Sequence, residues 1–133
     1  SKEIISVLNK IKPPYNINGL SQETAVKKLL QNTLSTQVRK ILVERNKLIE
    51  ALLKCEFVEK IYPSDANFIL IKVDDANFRY QQFIDNGVVV RNRSNQPLCE
   101  NCLRISIGTK EETEQIIELL KTFNNAEKSI IYR

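Results

Sequence analysis

The run Leu103-Arg104-Ile105-Ser106-Ile107 alternates apolar and polar side chains without interruption and stops at Gly108. Side chains of a strand point to opposite faces in turn, so this run needs a sheet with one buried face and one open face. The β-branched run Val88-Val89-Val90-Arg91 reads as a short strand beside it. Phe57 to Tyr62 and Phe68 to Val73 read as two more strands, separated by the turn residues Pro63-Ser64-Asp65.

The remaining segments carry helical periodicity. Ile4, Ile5, Val7, Leu8 and Ile11 form a stripe over residues 3–12, which Pro13-Pro14 ends. Tyr15 to Gly19 reads as an extended connector, followed by a helix from near Ser21 that pauses at Asn32-Thr33. A third helix is expected from Ser35 to Lys54. Its broad apolar face comprises Val38, Ile41, Leu42, Leu48, Ile49, Leu52 and Leu53, with Arg39, Lys40, Glu44, Arg45, Lys47 and Glu50 mainly opposite. Asp74 or Asp75 can cap a helix through Phe78, Tyr80, Phe83 and Ile84, with Gly87 at its C′ position. Thr109-Lys110-Glu111-Glu112 is a capping box that opens a last helix carrying Ile116, Ile117, Leu119, Leu120 and Phe123. Beyond Asn124-Asn125 the tail is expected to fray. Helices, two strands, a helix, two strands and a helix make an α+β fold, a small mainly antiparallel sheet covered on one face by helices.

The chemistry open to such a chain is narrowed by one number, zero histidines in 133 residues. A Ser-His-Asp triad, a Cys-His pair and a Cys2His2 site are excluded. The net charge of +4 is dispersed, with no basic run and few aromatic residues, which argues against a nucleic-acid partner. No apolar run approaches the roughly 20 residues that cross a bilayer, and Ser1-Lys2-Glu3 lacks a signal-peptide pattern. The expectation is a soluble protein without a membrane partner. Three cysteines, an odd count, suggest reduced thiols in the cytoplasm.

If Val90 pairs with Ile105, then Arg91 falls opposite Arg104 on the other face. Like charges directly opposite one another cost a few tenths to about 1 kcal/mol, so the arrangement makes sense around an anion. Guanidinium forks match carboxylates and phosphates with paired hydrogen bonds. The alternative is a hairpin slipped by two residues with both arginines solvated. The connection from Asn92 to Cys102 is long for a hairpin, and Arg93 and Ser94 within it can add donors. Cys99-Glu100-Asn101-Cys102 has C-x-x-C spacing, but too few further ligands exist for zinc, and redox motifs open helices rather than precede strands. A structural role is expected for this pair. Gly19, Gly87 and Gly108 are too scattered to cradle a phosphate, and no lysine stands out as a Schiff-base residue.

Four segments together carry a family pattern: Lys12-Pro13-Pro14-Tyr15-Asn16-Ile17-Asn18, Ser64-Asp65-Ala66-Asn67-Phe68-Ile69-Leu70, Gly87-Val88-Val89-Val90-Arg91, and Cys102 to Glu112. They resemble the C-terminal part of histidinol-phosphate aminotransferase over nearly the whole chain. The last motif and its separation from Arg91 are the most specific. The resemblance implies a fold type I enzyme dependent on pyridoxal 5'-phosphate, which interconverts L-histidinol phosphate and 2-oxoglutarate with imidazole acetol phosphate and glutamate. It implies a substrate-binding role for Arg91 and Arg104, both toward the phosphate end, with Arg104 also the carboxylate-holding arginine. It further implies a homodimer, with residues 1–20 the end of an interdomain helix and connector and 21–133 the small domain. The family's Schiff-base lysine, pyridine-nitrogen aspartate and cofactor-phosphate residues have no counterpart here. The chain is therefore expected to be a fragment, inactive alone, whose cofactor is bound mainly by a missing large domain of the same protein. Alternatives are the small domain of an aromatic aminotransferase or a threonine-phosphate decarboxylase, or a non-enzymatic small-ligand binding module.

Overall fold

Prolines, caps and apolar spacing set the helix boundaries, in a computed structural model that describes residues 1–13, 17–31 and 34–131. The chain divides into two units, residues 1–37 and 38–133. In the first, α1 (Lys2–Ile11) is capped by the Ser1 hydroxyl, which accepts from the Ile4 amide. The extended Lys12 follows directly, as the prolines require. Helix α2 (Gly19–Leu30) starts two residues before Ser21, because the Asn18 side chain is the cap and the Ser21 amide its donor at 2.8 Å. Gly19 is thus helical, while Tyr15 and Asn16 of the expected connector, and the expected pause at Asn32-Thr33, lie outside the described residues. No residue of α1 or α2 is buried.

The second unit is built on α3 (Leu34–Leu52) from Val38 onward, β1 (Val58–Ile61), β2 (Phe68–Val73), α4 (Ala76–Asp85), β3 (Arg91–Asn92), β4 (Cys102–Ser106) and α5 (Lys110–Ile131). The sheet order is β1-β2-β4-β3, antiparallel throughout. This is the expected α+β layer. Ile69, Ile71 and Val73 of β2 and Leu103 and Ile105 of β4 turn to one face, where Leu48, Leu52, Phe83, Ile116, Leu120 and Phe123 of three helices bury them. Phe83 and Phe123 meet edge to face, with ring centroids 5.3 Å apart. Among the described residues no helix is long and apolar enough to cross a membrane.

Several boundaries differ from the sequence reading, each for a local reason. The strand expected over Val88 to Arg91 is only Arg91–Asn92. The Val88 amide donates to Phe83 O at the end of α4, so the chain is still turning out of that helix there, and regular pairing with β4 begins only at Arg91. Only part of the broad face of α3 is used: Leu48 and Leu52 are buried, Val38 and Leu53 are exposed, and Glu44 is buried and paired with Lys47 at 2.8 Å. Arg45 reaches across to donate to Ser64 O at 2.6 Å, tying α3 to the β1–β2 connection. The backbone of α5 stays helical to Ile131 instead of fraying at Asn124, in a stretch free of proline and glycine.

The cap of α4 is Asp75, whose Oδ1 accepts from the Asn77 and Phe78 amides. Asp74 instead holds the Arg79 guanidinium, which is buried and lies 4.2 Å from the centre of the Phe57 ring. The side-chain hydrogen bonds from Arg79 are the main reason that the Asp74 carboxyl titrates below the ordinary carboxylate range. A depressed carboxyl pKa stabilises the fold above the unfolded-state value, and that contribution disappears as pH falls through the folded-state value. Asp74→Asn is therefore expected to lower Tm at pH 7, and the gap from the parent should close as melting curves are followed down to pH 2. A gap independent of pH would assign the effect to packing instead.

The expected capping box forms at the start of α5. The Glu112 carboxylate accepts from the Thr109 amide at 2.7 Å and the Thr109 hydroxyl accepts from the Glu112 amide at 3.3 Å. Hydrogen bonding from the Thr109 amide, and next from the Thr109 side chain, holds the Glu112 carboxyl below its ordinary range. Gly108 closes against this box: a β-carbon there would lie 2.9 Å from Glu112 Cβ and nearer still to Glu112 Oε2. Gly108→Ala should thus displace the box and lower Tm by roughly 5 °C, the scale of one helix cap. Thermal denaturation checks this, and an unchanged Tm would mean the loop yields without losing the cap.

Candidate functional site

The open face of the sheet carries the residues singled out as anion binders. Strand β3 pairs with β4 so that Arg91 lies directly opposite Arg104 and Asn92 opposite Leu103. This is the register that places Val90 and Ile105 on the buried side, where they are 3% and 1% exposed. Two guanidinium groups therefore leave the same face of adjacent strands. The slipped hairpin does not form.

Each arginine is held differently. Arg91 is exposed on the edge strand, whereas Arg104 is half-buried with its guanidinium 5.2 Å from the centre of the Phe68 ring. Such a contact contributes roughly 0.5–2 kcal/mol and restricts where the charge can point. The buried Nε of Arg104 has no hydrogen-bond partner among the described residues. Arg91, Arg93, Arg104, Ser106 and Tyr80 line one open concavity of about 600 Å³ at the sheet edge. Two acceptor-seeking forks on a common wall can grip a carboxylate or a phosphate, and little else there suggests bond-making chemistry.

Sequence periodicity missed two contributors. Tyr80 read as part of the apolar stripe of its helix, but it is half-buried and turned to the concavity. Phe68 read as a strand residue, with nothing in its spacing to mark the contact with Arg104. Of the residues weighed for supporting roles, Arg93 lines the concavity, while Ser94 has a buried hydroxyl with no partner among the described residues.

Cys99 and Cys102 bracket a turn closed by the Cys102 amide donating to Cys99 O at 3.0 Å, and both are free thiols. Burial pushes the Cys102 thiol pKa up. A thiol so placed is a packing group rather than a nucleophile.

The described residues do not build a pocket for pyridoxal phosphate. A Schiff-base lysine is ordinarily desolvated so that its amine is neutral. The described lysines are exposed except Lys47 and Lys72, and those two are ion-paired with Glu44 and Glu59 at 2.8 and 3.2 Å. The Glu59 carboxylate moves Lys72 upward, away from a free amine.

Comparison with known proteins agrees with the geometry. The chain is 69% identical over 121 residues to a histidinol-phosphate aminotransferase of Flavobacterium psychrophilum, an alignment covering 91% of this chain and 35% of that protein. It is 57% identical over 126 residues to the enzyme of the same name from Christiangramia forsetii, covering 94% and 36%. Among solved structures, the histidinol-phosphate aminotransferase of Clostridium acetobutylicum superposes with a TM-score of 0.83 at 25% identity, over 95% of this chain and 39% of that one. The resemblance read from the four segments is borne out, and the chain spans about 35% of the length of the relatives it matches. Residues 1–120 match the family model for aminotransferase class I and II, and the chain belongs to that family.

Proposed function

We propose that this chain is the substrate-anion-binding C-terminal part of a histidinol-phosphate aminotransferase, which exchanges an amino group between L-histidinol phosphate and 2-oxoglutarate. The observation that carries this reading is the direct opposition of Arg91 and Arg104 on the open face of the sheet. Relatives at 69% and 57% identity carry that name, which favours it over an aromatic aminotransferase or a threonine-phosphate decarboxylase. Exposed apolar side chains along α1, such as Ile4, Val7 and Ile11, favour part of a larger enzyme over a free-standing binding module.

Class I and II aminotransferases use pyridoxal phosphate, which supplies the electron sink for amino transfer when bound. In this reading the rest of the full-length protein binds it, residues 1–20 form the end of an interdomain helix and connector, and 21–133 form the small domain. The full-length enzyme is a cytoplasmic homodimer. The chain's own residues do the orienting. Without ligand, Arg91 and Arg104 repel one another, and an anion between them turns that repulsion into two charge-assisted contacts. Phe68 beneath Arg104 keeps its fork aimed at the concavity. The substrate is thereby held by its anionic end, leaving its amine free to reach the cofactor.

The test is amino transfer by the full-length protein, followed as glutamate formed from 2-oxoglutarate. L-histidinol phosphate should be the preferred donor over phenylalanine, with no decarboxylation of threonine phosphate. Preference for phenylalanine, or release of carbon dioxide, would reject this reading.

A further inference from the structure

Arg93 stands beside the two arginines already described, and nothing in the reading above uses it. Its amide donates to Cys102 O at 2.8 Å, so the β3–β4 register continues one pair past Asn92 and Leu103. Alternation then returns Arg93 to the face of Arg91. Asn92 between them turns to the other side, where its Nδ2 donates to Asn77 Oδ1 of α4 at 2.8 Å. Opposite Cys102, Arg93 is the diagonal neighbour of Arg104. Such neighbours sit about 7–8 Å apart, within reach of long side chains. Arg93 is half-buried and lines the same concavity as Arg91 and Arg104.

This leaves three guanidinium groups on one wall with no ion-pair partner among the described residues. The ion pairs among the described residues engage Glu44, Glu59, Asp74, Glu114 and Glu118, and none reaches these arginines. A carboxylate carries one charge and two oxygens, which one fork satisfies. A phosphate monoester near neutral pH carries about −1.5 to −2 and three acceptor oxygens, so it can occupy further donors. A third cation that is redundant for a carboxylate is therefore used by a phosphoryl group.

We propose that Arg93 is a specificity-determining residue that favours the phosphoryl substrate over the carboxylate substrate at the Arg91–Arg104 site, an inference that rests on the function proposed above. The experiment compares Arg93→Gln, Arg93→Lys and Arg104→Ala in the full-length enzyme. Arg93→Gln should raise KM for L-histidinol phosphate and the inhibition constant of inorganic phosphate by about tenfold or more, the scale of one charge-assisted contact. Its kcat and its KM for glutamate should stay within about twofold, because only ground-state and transition-state binding of the phosphate is shared. Arg93→Lys keeps the charge without the fork and should recover part of the loss, and it also serves as the readout should the glutamine variant not fold. Equal losses with both substrates, or no change in either while Arg104→Ala is impaired, would overturn the role of Arg93 alone. No loss in Arg104→Ala would overturn the underlying reading instead.

Discussion

Replacing Arg104 with alanine in the full-length enzyme should lower kcat/KM by one to two decades with both L-histidinol phosphate and glutamate, whereas Arg91→Ala should impair the phosphorylated substrate more. The two arginines face each other across β3 and β4, but they are not equivalent. Arg104 is half-buried, has Phe68 beneath it and emerges from a central strand paired on both sides. Arg91 is exposed on a two-residue edge strand. A lone carboxylate depends on the better-placed fork, while a dianion bridging both loses only part of its grip when either goes. A charge-assisted bidentate contact is worth about 1.5–3 kcal/mol, and each 1.4 kcal/mol is a decade in rate. Steady-state kinetics of the two variants with both substrates checks the pattern. Equal losses everywhere would mean that the anion is held by residues outside this chain.

Phe83→Ala should lower the stability of residues 38–133 by about 3–5 kcal/mol, the cost of emptying a buried aromatic site. Phe83 is fully buried, packs edge to face on Phe123, and thus joins α4 to α5 over the sheet. Its carbonyl also accepts from the Asn86 and Val88 amides, which turn the chain from α4 toward β3. The lost packing would therefore loosen the approach to Arg91 as well as the core. A Tm lowered by more than about 10 °C is expected for a unit of this size. A drop of a degree or two would show that Phe123 and its neighbours collapse into the space.

The faces of β3 and β4 were legible in the sequence because they rest on a local rule, whereas the register was decided only in the structure, which places Arg91 opposite Arg104. Alternation along Leu103 to Ile107 assigns each side chain to a face, but a slip of two residues preserves those faces and changes only which residue meets Val90. The caps of α4 and α5 were legible for the same reason. Asn18 was missed because Ser21, a plausible cap, lies three residues on and is in fact its donor. The C-terminal extent of α5 was misjudged because two asparagines weaken a helix without breaking it, whereas proline or glycine would have stopped it.

Composition and spacings of a few residues were enough for the set of elements, the absence of histidine and the face of the sheet that Arg91 and Arg104 each take, but not for the register that sets them opposite one another. Tertiary structure decided which part of each apolar face is used. Glu44 is buried while Leu53 is exposed, because the sheet and two other helices cover only one sector of α3. The way α4 ends also shortened β3, since Phe83 O takes the Val88 amide and regular pairing with β4 begins only at Arg91. Packing likewise set Phe68 against Arg104 and brought Tyr80 and Arg93 to the same concavity. Periodicity assigns a side chain to a face, but its neighbours on that face come from other segments, and their positions depend on how the whole core closes.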